Sequence, residues 1–195
     1  MRIVLATGNR GKLAEFAQLL APLALSFEPQ SAFGIEPPEE TGTTFAANAL
    51  LKARHAARCS GLPAMADDSG LEVDALGGAP GVFSARYAGA GATDPANIAK
   101  VLEALEGVPA TARTARFRCT IAFVRSADDA SPLLAEGVWP GRILGAPRGR
   151  GGFGYDPVFE DAVSGLSAAE LSLEVKNSRS HRARALAALL SRWPR

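Results

Sequence analysis

Apolar and polar positions switch between two periods along this chain. Arg2 to Ala6 is a short apolar run with β-branched residues, which predicts a buried first strand. Leu13, Phe16, Leu19 and Leu20 then recur at helical spacing. Leu25 to Glu28 predicts a second strand, and residues 29–42, rich in Pro, Gly and Glu, predict a loop. Thr41-Gly42-Thr43 offers N-cap candidates for a helix from about Thr44 to Arg58. Its apolar face is Phe45, Ala49, Leu50, Ala53 and Ala57, with Asn48, Lys52 and His55 elsewhere on it. Leu62 to Met65 predicts a buried strand, Leu71 to Asp74 a short one, and residues 77–87 a Gly/Pro loop. Asp94-Pro95, with Asp as cap, starts a helix that runs to about Leu105. Ala115 to Arg125 alternates, with Phe117, Cys119, Ile121 and Phe123 on one face, and predicts a half-buried strand. Leu133 to Leu144 is the expected antiparallel partner, bent at Trp139-Pro140-Gly141. The tail predicts one or two helices, over Ala168 to Val175 and from Asn177-Ser178-Arg179-Ser180-His181-Arg182 into Leu186, Leu189 and Leu190.

At 195 residues the chain reads as one domain, 1–195, or one domain with a small lobe. A net charge of +1 leaves no whole-chain field to draw in a nucleic-acid polymer or a membrane surface. No stretch approaches the roughly 18 apolar residues of a membrane span, and the N-terminal apolar run is too short for a signal peptide. A cytoplasmic protein is the expectation. Cys59 and Cys119 are far apart without metal-ligand spacing and read as free core thiols, with a single disulfide left open.

Four stretches carry candidate chemistry. In Thr7-Gly8-Asn9-Arg10-Gly11-Lys12 a glycine-containing turn joins a strand to a helix. Free N–H groups and the positive end of the helix dipole there suit an anion, with Lys12 in the first helical turn. It is not a Walker A loop, because Ala6 and Leu13 stand where Gly and Ser/Thr are needed. An ordinary strand-to-helix turn with a surface lysine fits the same residues. In Ala66-Asp67-Asp68-Ser69-Gly70, two adjacent carboxylates follow an apolar run. On an extended segment they point to opposite sides and take different jobs, one holding the local backbone and the other facing a metal. A solvated turn is the competing reading. Gly149, Gly151, Gly152 and Gly154 surround Phe153 and precede Tyr155-Asp156, as if two exposed aromatics awaited a flat ring. Simple loop flexibility fits equally. Lys176, His181 and Arg182 gather donors suited to a purine edge, or decorate a surface. Together the four suit a triphosphate, a divalent cation and a purine.

The stretches Ala6 to Lys12, Glu39-Glu40-Thr41-Gly42, Ala66 to Leu71, Gly151 to Pro157 and Ser180-His181-Arg182 occur in an order that resembles the Ham1/RdgB-like inosine triphosphate pyrophosphatases. The resemblance runs from Leu5 to Arg182. It implies a mixed α/β fold, with an elongated central mixed sheet flanked by helices, two lobes with a cleft between them, and a homodimer. It also implies Mg2+-dependent hydrolysis of ITP, dITP or XTP to the monophosphate and pyrophosphate, which clears damaged nucleotides from the pool. By position, Thr7, Gly8, Asn9, Arg10, Gly11 and Lys12 would hold the triphosphate. Asp68 would bind metal and accept the water's proton, with Ser69 on the substrate. Glu40 would be the second metal-linked acid, ahead of Glu39 and Glu36. Phe153, Gly154, Tyr155 and Asp156 would hold the nucleoside, with Lys176, His181 and Arg182 at the base. The rivals are a Maf-like pyrophosphatase for other modified nucleotides and a nucleotide-binding regulator without catalysis.

Overall fold

A computed structural model describes residues 1–23 and 25–193. In chain order the elements are β1 (Arg2–Leu5), α1 (Arg10–Leu20), β2 (Ser26–Pro29), α2 (Phe45–Ser60), β3 (Ala64–Val73), α3 (Asp94–Ala104), β4 (Thr114–Val124), β5 (Leu133–Ile143), β6 (Phe159–Asp161), α4 (Leu173–Arg179) and α5 (His181–Leu190). The strands form one mixed sheet in the order β2-β1-β3-β4-β5-β6. β1 runs parallel to both β2 and β3, as crossovers through α1 and α2 require, and β5 runs antiparallel to β6. No helix among the described residues is long and apolar enough to cross a membrane.

Several boundaries differ from the sequence expectation, each for a local reason. β3 runs ten residues straight through Asp67-Asp68-Ser69-Gly70, so this stretch is neither a turn nor the gap between two strands. Thr44, just after the expected caps, caps α2 by accepting from the Ala47 N–H at 3.1 Å. Thr93 rather than Asp94 caps α3, accepting from Ala96 N–H. α4 begins only at Leu173, because Ser172 accepts from the Val175 N–H at 3.3 Å and sets the start there. β6 was not foreseen. Its register on β5 begins at Gly141, so Pro140 falls just outside that ladder, where a missing N–H is tolerated. Both cysteines are free as expected, but Cys59 is exposed beside His55 and only Cys119 is buried.

The chain divides into two compact units: Met1–Asp68, Cys119–Gly137 and Arg182–Arg195 in the first, Ser69–Arg118 and Val138–His181 in the second. In the first unit, β1 alternates with period two. Ile3 and Leu5 pack with Phe16 and Leu20 of α1 and Leu186 and Leu189 of α5. Val4 and Ala6 pack with Ala49, Ala53, Ala56 and Ala57 of α2. The alanine stripe lets the α2 backbone lie close to the sheet. This brings any polar side chain on that stripe close to the sheet as well. The second unit is built on Leu71 and Val73 of β3, Ile98, Val101 and Leu105 around α3, and the aromatics Phe117, Trp139, Tyr155 and Phe159.

Candidate active site

The first unit holds a dense set of charges. Asn9 caps α1, its side-chain oxygen accepting from the Lys12 N–H at 3.0 Å, while the Asn9 N–H donates to the Thr7 hydroxyl at 3.2 Å. Lys12 therefore starts in the first turn of α1, and its ammonium lies 2.9 Å from Asp67 Oδ2. Arg10 is exposed, and Gly8 is an exposed glycine where an added Cβ would meet nothing within 4 Å.

Asp67 and Asp68 point to opposite sides of β3 and meet different partners. Asp67 is fully buried and accepts from Arg182 Nη2 at 3.2 Å in addition to the Lys12 ammonium. Arg182 is also buried and pairs with Glu15 of α1. Burial alone would raise the Asp67 carboxyl, but Lys12 and Arg182 outweigh it and hold the group well below the usual carboxylate range. Asp68 accepts from Lys52 Nζ at 2.9 Å and from Asn48 Nδ2 at 3.2 Å. Burial pushes the Asp68 carboxyl up, and Lys52 opposes the shift without cancelling it. The same Lys52 ammonium donates to Glu40 Oε1 at 2.6 Å. Burial works against the charge on Lys52, but Asp68, Asp67 and Glu40 outweigh it and raise its pKa.

Asn48 and Lys52 were expected off the buried face of α2, yet both are buried within its alanine stripe. They stand at i and i+4 and so share a side of the helix. A polar pair at that spacing among Ala49, Ala53 and Ala56 is the signal that reveals them. Asn48 also accepts from the Gly42 N–H at 2.8 Å, which ties the Glu40 loop to α2. A Cβ on Gly42 would lie 2.5 Å from that oxygen, so a larger residue there would displace the bracket. Of the three glutamates in this loop, Glu40 is thus the one fixed beside Asp68. Glu36 and Glu39 are exposed.

These residues fit a divalent cation. Two carboxylates converge on a single ammonium, and three cationic side chains (Lys12, Lys52, Arg182) face four carboxylates (Glu15, Glu40, Asp67, Asp68). Among the described residues no group of three or more His, Cys, Asp or Glu forms a protein-only metal cage. Mg2+ commonly takes one or two carboxylates and completes its shell with phosphates and water.

The second unit holds the glycine-aromatic loop. Three of its four glycines are required by packing, and the fourth, Gly154, by its left-handed φ of +60°. A Cβ on Gly149 or Gly151 would collide with the Ala169 backbone at 2.6 and 2.9 Å, and one on Gly152 would collide with the Asp156 carboxylate. Asp156 Oδ2 accepts from the Phe153 N–H at 2.8 Å and from Lys176 Nζ at 2.5 Å. The Lys176 ammonium lies 5.0 Å from the centre of the half-buried Phe153 ring. Tyr155, expected to be exposed, is buried in the core with its hydroxyl donating to the Ser84 carbonyl at 2.8 Å. Of the two loop aromatics, Phe153 is the half-buried one. His181 is buried and stacks on Phe117, with ring centres 4.8 Å apart and planes 17° apart. Ser69, half-buried, follows Asp68 on β3.

So the first unit collects Lys12, Asp67, Asp68, Glu40 and Arg182, and the second collects Phe153, Asp156, Lys176 and His181. Arg182 differs from expectation in its surroundings: its guanidinium lies among Glu15 and Asp67. Sequence reasoning missed Asn48, Lys52 and Glu15.

Known proteins similar to this chain are numerous. The chain is 57% identical over 192 residues to a dITP/XTP pyrophosphatase of Thioalkalivibrio sulfidiphilus, covering 98% of each chain. It is 59% identical over 191 residues to a dITP/XTP pyrophosphatase of Methylococcus capsulatus, covering 98% of this chain and 95% of that one. A solved HAM1 protein from Coxiella burnetii superposes with a TM-score of 0.90 at 50% identity, over 99% of this chain and all of that one. The model of the Ham1 family matches residues 3–192, and the chain belongs to that family.

Proposed function

We propose that this chain hydrolyses non-canonical purine nucleoside triphosphates of the dITP, ITP and XTP class to the nucleoside monophosphate and pyrophosphate. The observation that carries this reading is the convergence on β3. Asp67 takes the lysine of the glycine turn at 2.9 Å, and the next residue, Asp68, is held with Glu40 on Lys52. A phosphate-type turn and a carboxylate pair are thereby anchored to adjacent residues of one strand. The names borne by close relatives supply the substrate class.

In this reading Thr7, Gly8, Asn9, Arg10, Gly11 and Lys12 take the phosphates through N–H groups, the helix terminus and the Lys12 ammonium. Asp68 and Glu40 would hold the cation, for which Mg2+ is the natural choice given carboxylate donors. When bound, it supplies charge neutralisation at the phosphates and makes pyrophosphate a better leaving group. Asp68 orients the attacking water and takes its proton. Lys52 and Asn48 fix the Asp68 carboxylate in one orientation. Ser69 donates to substrate, Phe153 stacks on the base, and Gly154 and Asp156 shape the nucleoside loop around it, with Tyr155 as its anchor in the core. Lys176, His181 and Arg182 serve the base as donors, Arg182 from a guanidinium held by Glu15 and Asp67. Donors favour the 6-carbonyl of hypoxanthine and xanthine over the 6-amine of adenine. We further propose that the protein works in the cytoplasm as a homodimer.

The test is pyrophosphate release from ITP, dITP, XTP, ATP and GTP with and without Mg2+. The expected result is turnover of the first three, dependent on Mg2+. Asp68→Asn should reduce kcat by about a thousandfold while the protein stays folded. Equal turnover of ATP, or full activity in Asp68→Asn, would refute the reading.

A further inference from the structure

We propose that Asp94 is a positioning residue for the nucleoside loop, holding Phe153 in place through the backbone of Gly154. The inference rests on the assignment of that loop to the nucleoside. Asp94 is the first residue of α3, and the helix does not need it as a cap, because Thr93 fills that role. Its carboxylate instead accepts from the Gly154 N–H at 2.7 Å, sixty residues away in sequence. A short bond from an amide to an ionised acceptor is among the stronger neutral-to-charged contacts.

Its place in the loop gives it leverage. Phe153 and Gly154 have consecutive amides, and each donates to a carboxylate: Phe153 N–H to Asp156, Gly154 N–H to Asp94. Gly154 sits at φ +60°, a left-handed conformation that directs the chain after Phe153. The two carboxylates thus fix the backbone on both sides of Phe153, whose half-buried ring lies 5.0 Å from the Lys176 ammonium. Asp156 belongs to the loop itself and is held by Lys176 of α4. Asp94 lies outside the loop, on α3, which is anchored by buried Ile98, Val101 and Asn97. The Asn97 side chain donates to the Ala85 carbonyl at 3.2 Å and accepts from the Ala88 N–H at 2.8 Å. Asp94 therefore ties the loop to a fixed support.

The experiment compares kcat and KM for dITP, with Mg2+, in the full chain carrying Asp94→Ala, Asp94→Asn or Phe153→Ala. Amide exchange at Gly154, Ile98 and Val101 is measured alongside. Asp94→Ala should raise KM about three- to tenfold and leave kcat within about twofold, the pattern of lost uniform binding. Asp94→Asn keeps an acceptor oxygen and should return KM close to the parent value. Gly154 exchange should quicken in Asp94→Ala while Ile98 and Val101 stay protected, which separates loop positioning from helix loss. If Phe153→Ala raises KM and Asp94→Ala does not, the Asp94 inference alone is overturned. The same holds if Asp94→Asn is as impaired as Asp94→Ala. If Phe153→Ala leaves KM unchanged, the nucleoside assignment of the loop fails and this inference with it.

Discussion

Lys52→Met keeps the side chain's length and removes the one ammonium shared by Asp68 and Glu40. In the parent the side chains of Lys52 and Asp68 are 10% and 8% exposed, while that of Glu40 is 26% exposed. Breaking a fully buried ion pair costs about 3–5 kcal/mol. Water reaches Glu40, so an expected loss of about 2–4 kcal/mol at neutral pH is reasonable. For a domain of this size that is a melting-temperature drop on the order of 10 °C. The loss carries a pH signature. Burial already raises the Asp68 carboxyl, and Lys52 is the leading influence lowering it. Without Lys52 the folded carboxyl rises further above its unfolded value of about 4, so the folded variant binds a proton that the unfolded chain releases. The deficit against the parent is therefore full at neutral pH and shrinks as pH falls toward about 4. Mg2+ should recover part of it, because a bound cation replaces the missing one. The assay is thermal denaturation at about pH 5 and about pH 8, with and without Mg2+. A melting temperature within about 2 °C of the parent, or the same deficit at both pH values, would refute the reasoning.

Gly8→Ala should leave the melting temperature within about 2 °C, since its added methyl meets nothing in the protein and its φ is not left-handed. It should nonetheless raise KM about tenfold or more if triphosphate approaches that backbone closely. An unchanged KM would mean that this turn does not touch phosphate. Asp161 is buried and accepts from Trp139 Nε1 at 2.8 Å, from Ser164 and from Arg179 Nη1 at 3.0 Å. Burial opposes these bonds, which prevail and lower its pKa. The stabilisation they give is present above about pH 4 and is lost as pH falls through the lower folded value. Asp161→Asn should thus be about 1–2 kcal/mol less stable at neutral pH and show a shallower acid limb in denaturant titrations. An acid limb as steep as the parent's would contradict this.

The parts of the fold legible in the sequence are those decided by local periodicity. β1, α1, α2 and β4 follow from where apolar residues recur, and the cap residues move their ends by only a position or so. The parts that were not legible depend on distant partners. Asn48 and Lys52 read as lying off the apolar face, because a polar pair at i and i+4 shows a shared side of the helix but not what lies opposite it. Their burial follows from a loop glycine and a strand carboxylate elsewhere in the chain. β6 is too short to show alternation, and it exists because Gly141 lets β5 approach it: a Cβ there would strike the Glu160 carbonyl and the Phe159 ring. The loop glycines announced themselves by density, but density did not distinguish flexibility from packing. The Ala169 backbone makes that distinction.

The adjacent aspartates show why the candidate base is Asp68 and not its neighbour. Strand geometry sends them to opposite sides, so each acquires its own electrostatic surroundings although their Cα atoms are neighbours. Asp67 meets two cations, one on α1 and one on α5, and its affinity for a proton is suppressed. Its carboxylate holds Lys12 and Arg182 in place, and with its proton affinity lowered it is the poorer candidate to take a proton from water. Asp68 is less well compensated, having one ammonium that it shares with Glu40, and burial leaves its proton affinity raised. A group that takes a proton in a reaction needs that affinity, and a group that binds a cation needs unspent negative charge. Incomplete neutralisation gives Asp68 both properties that the proposed base and cation holder needs, while Asp67, with two cations against it, holds the neighbouring Lys12 in place.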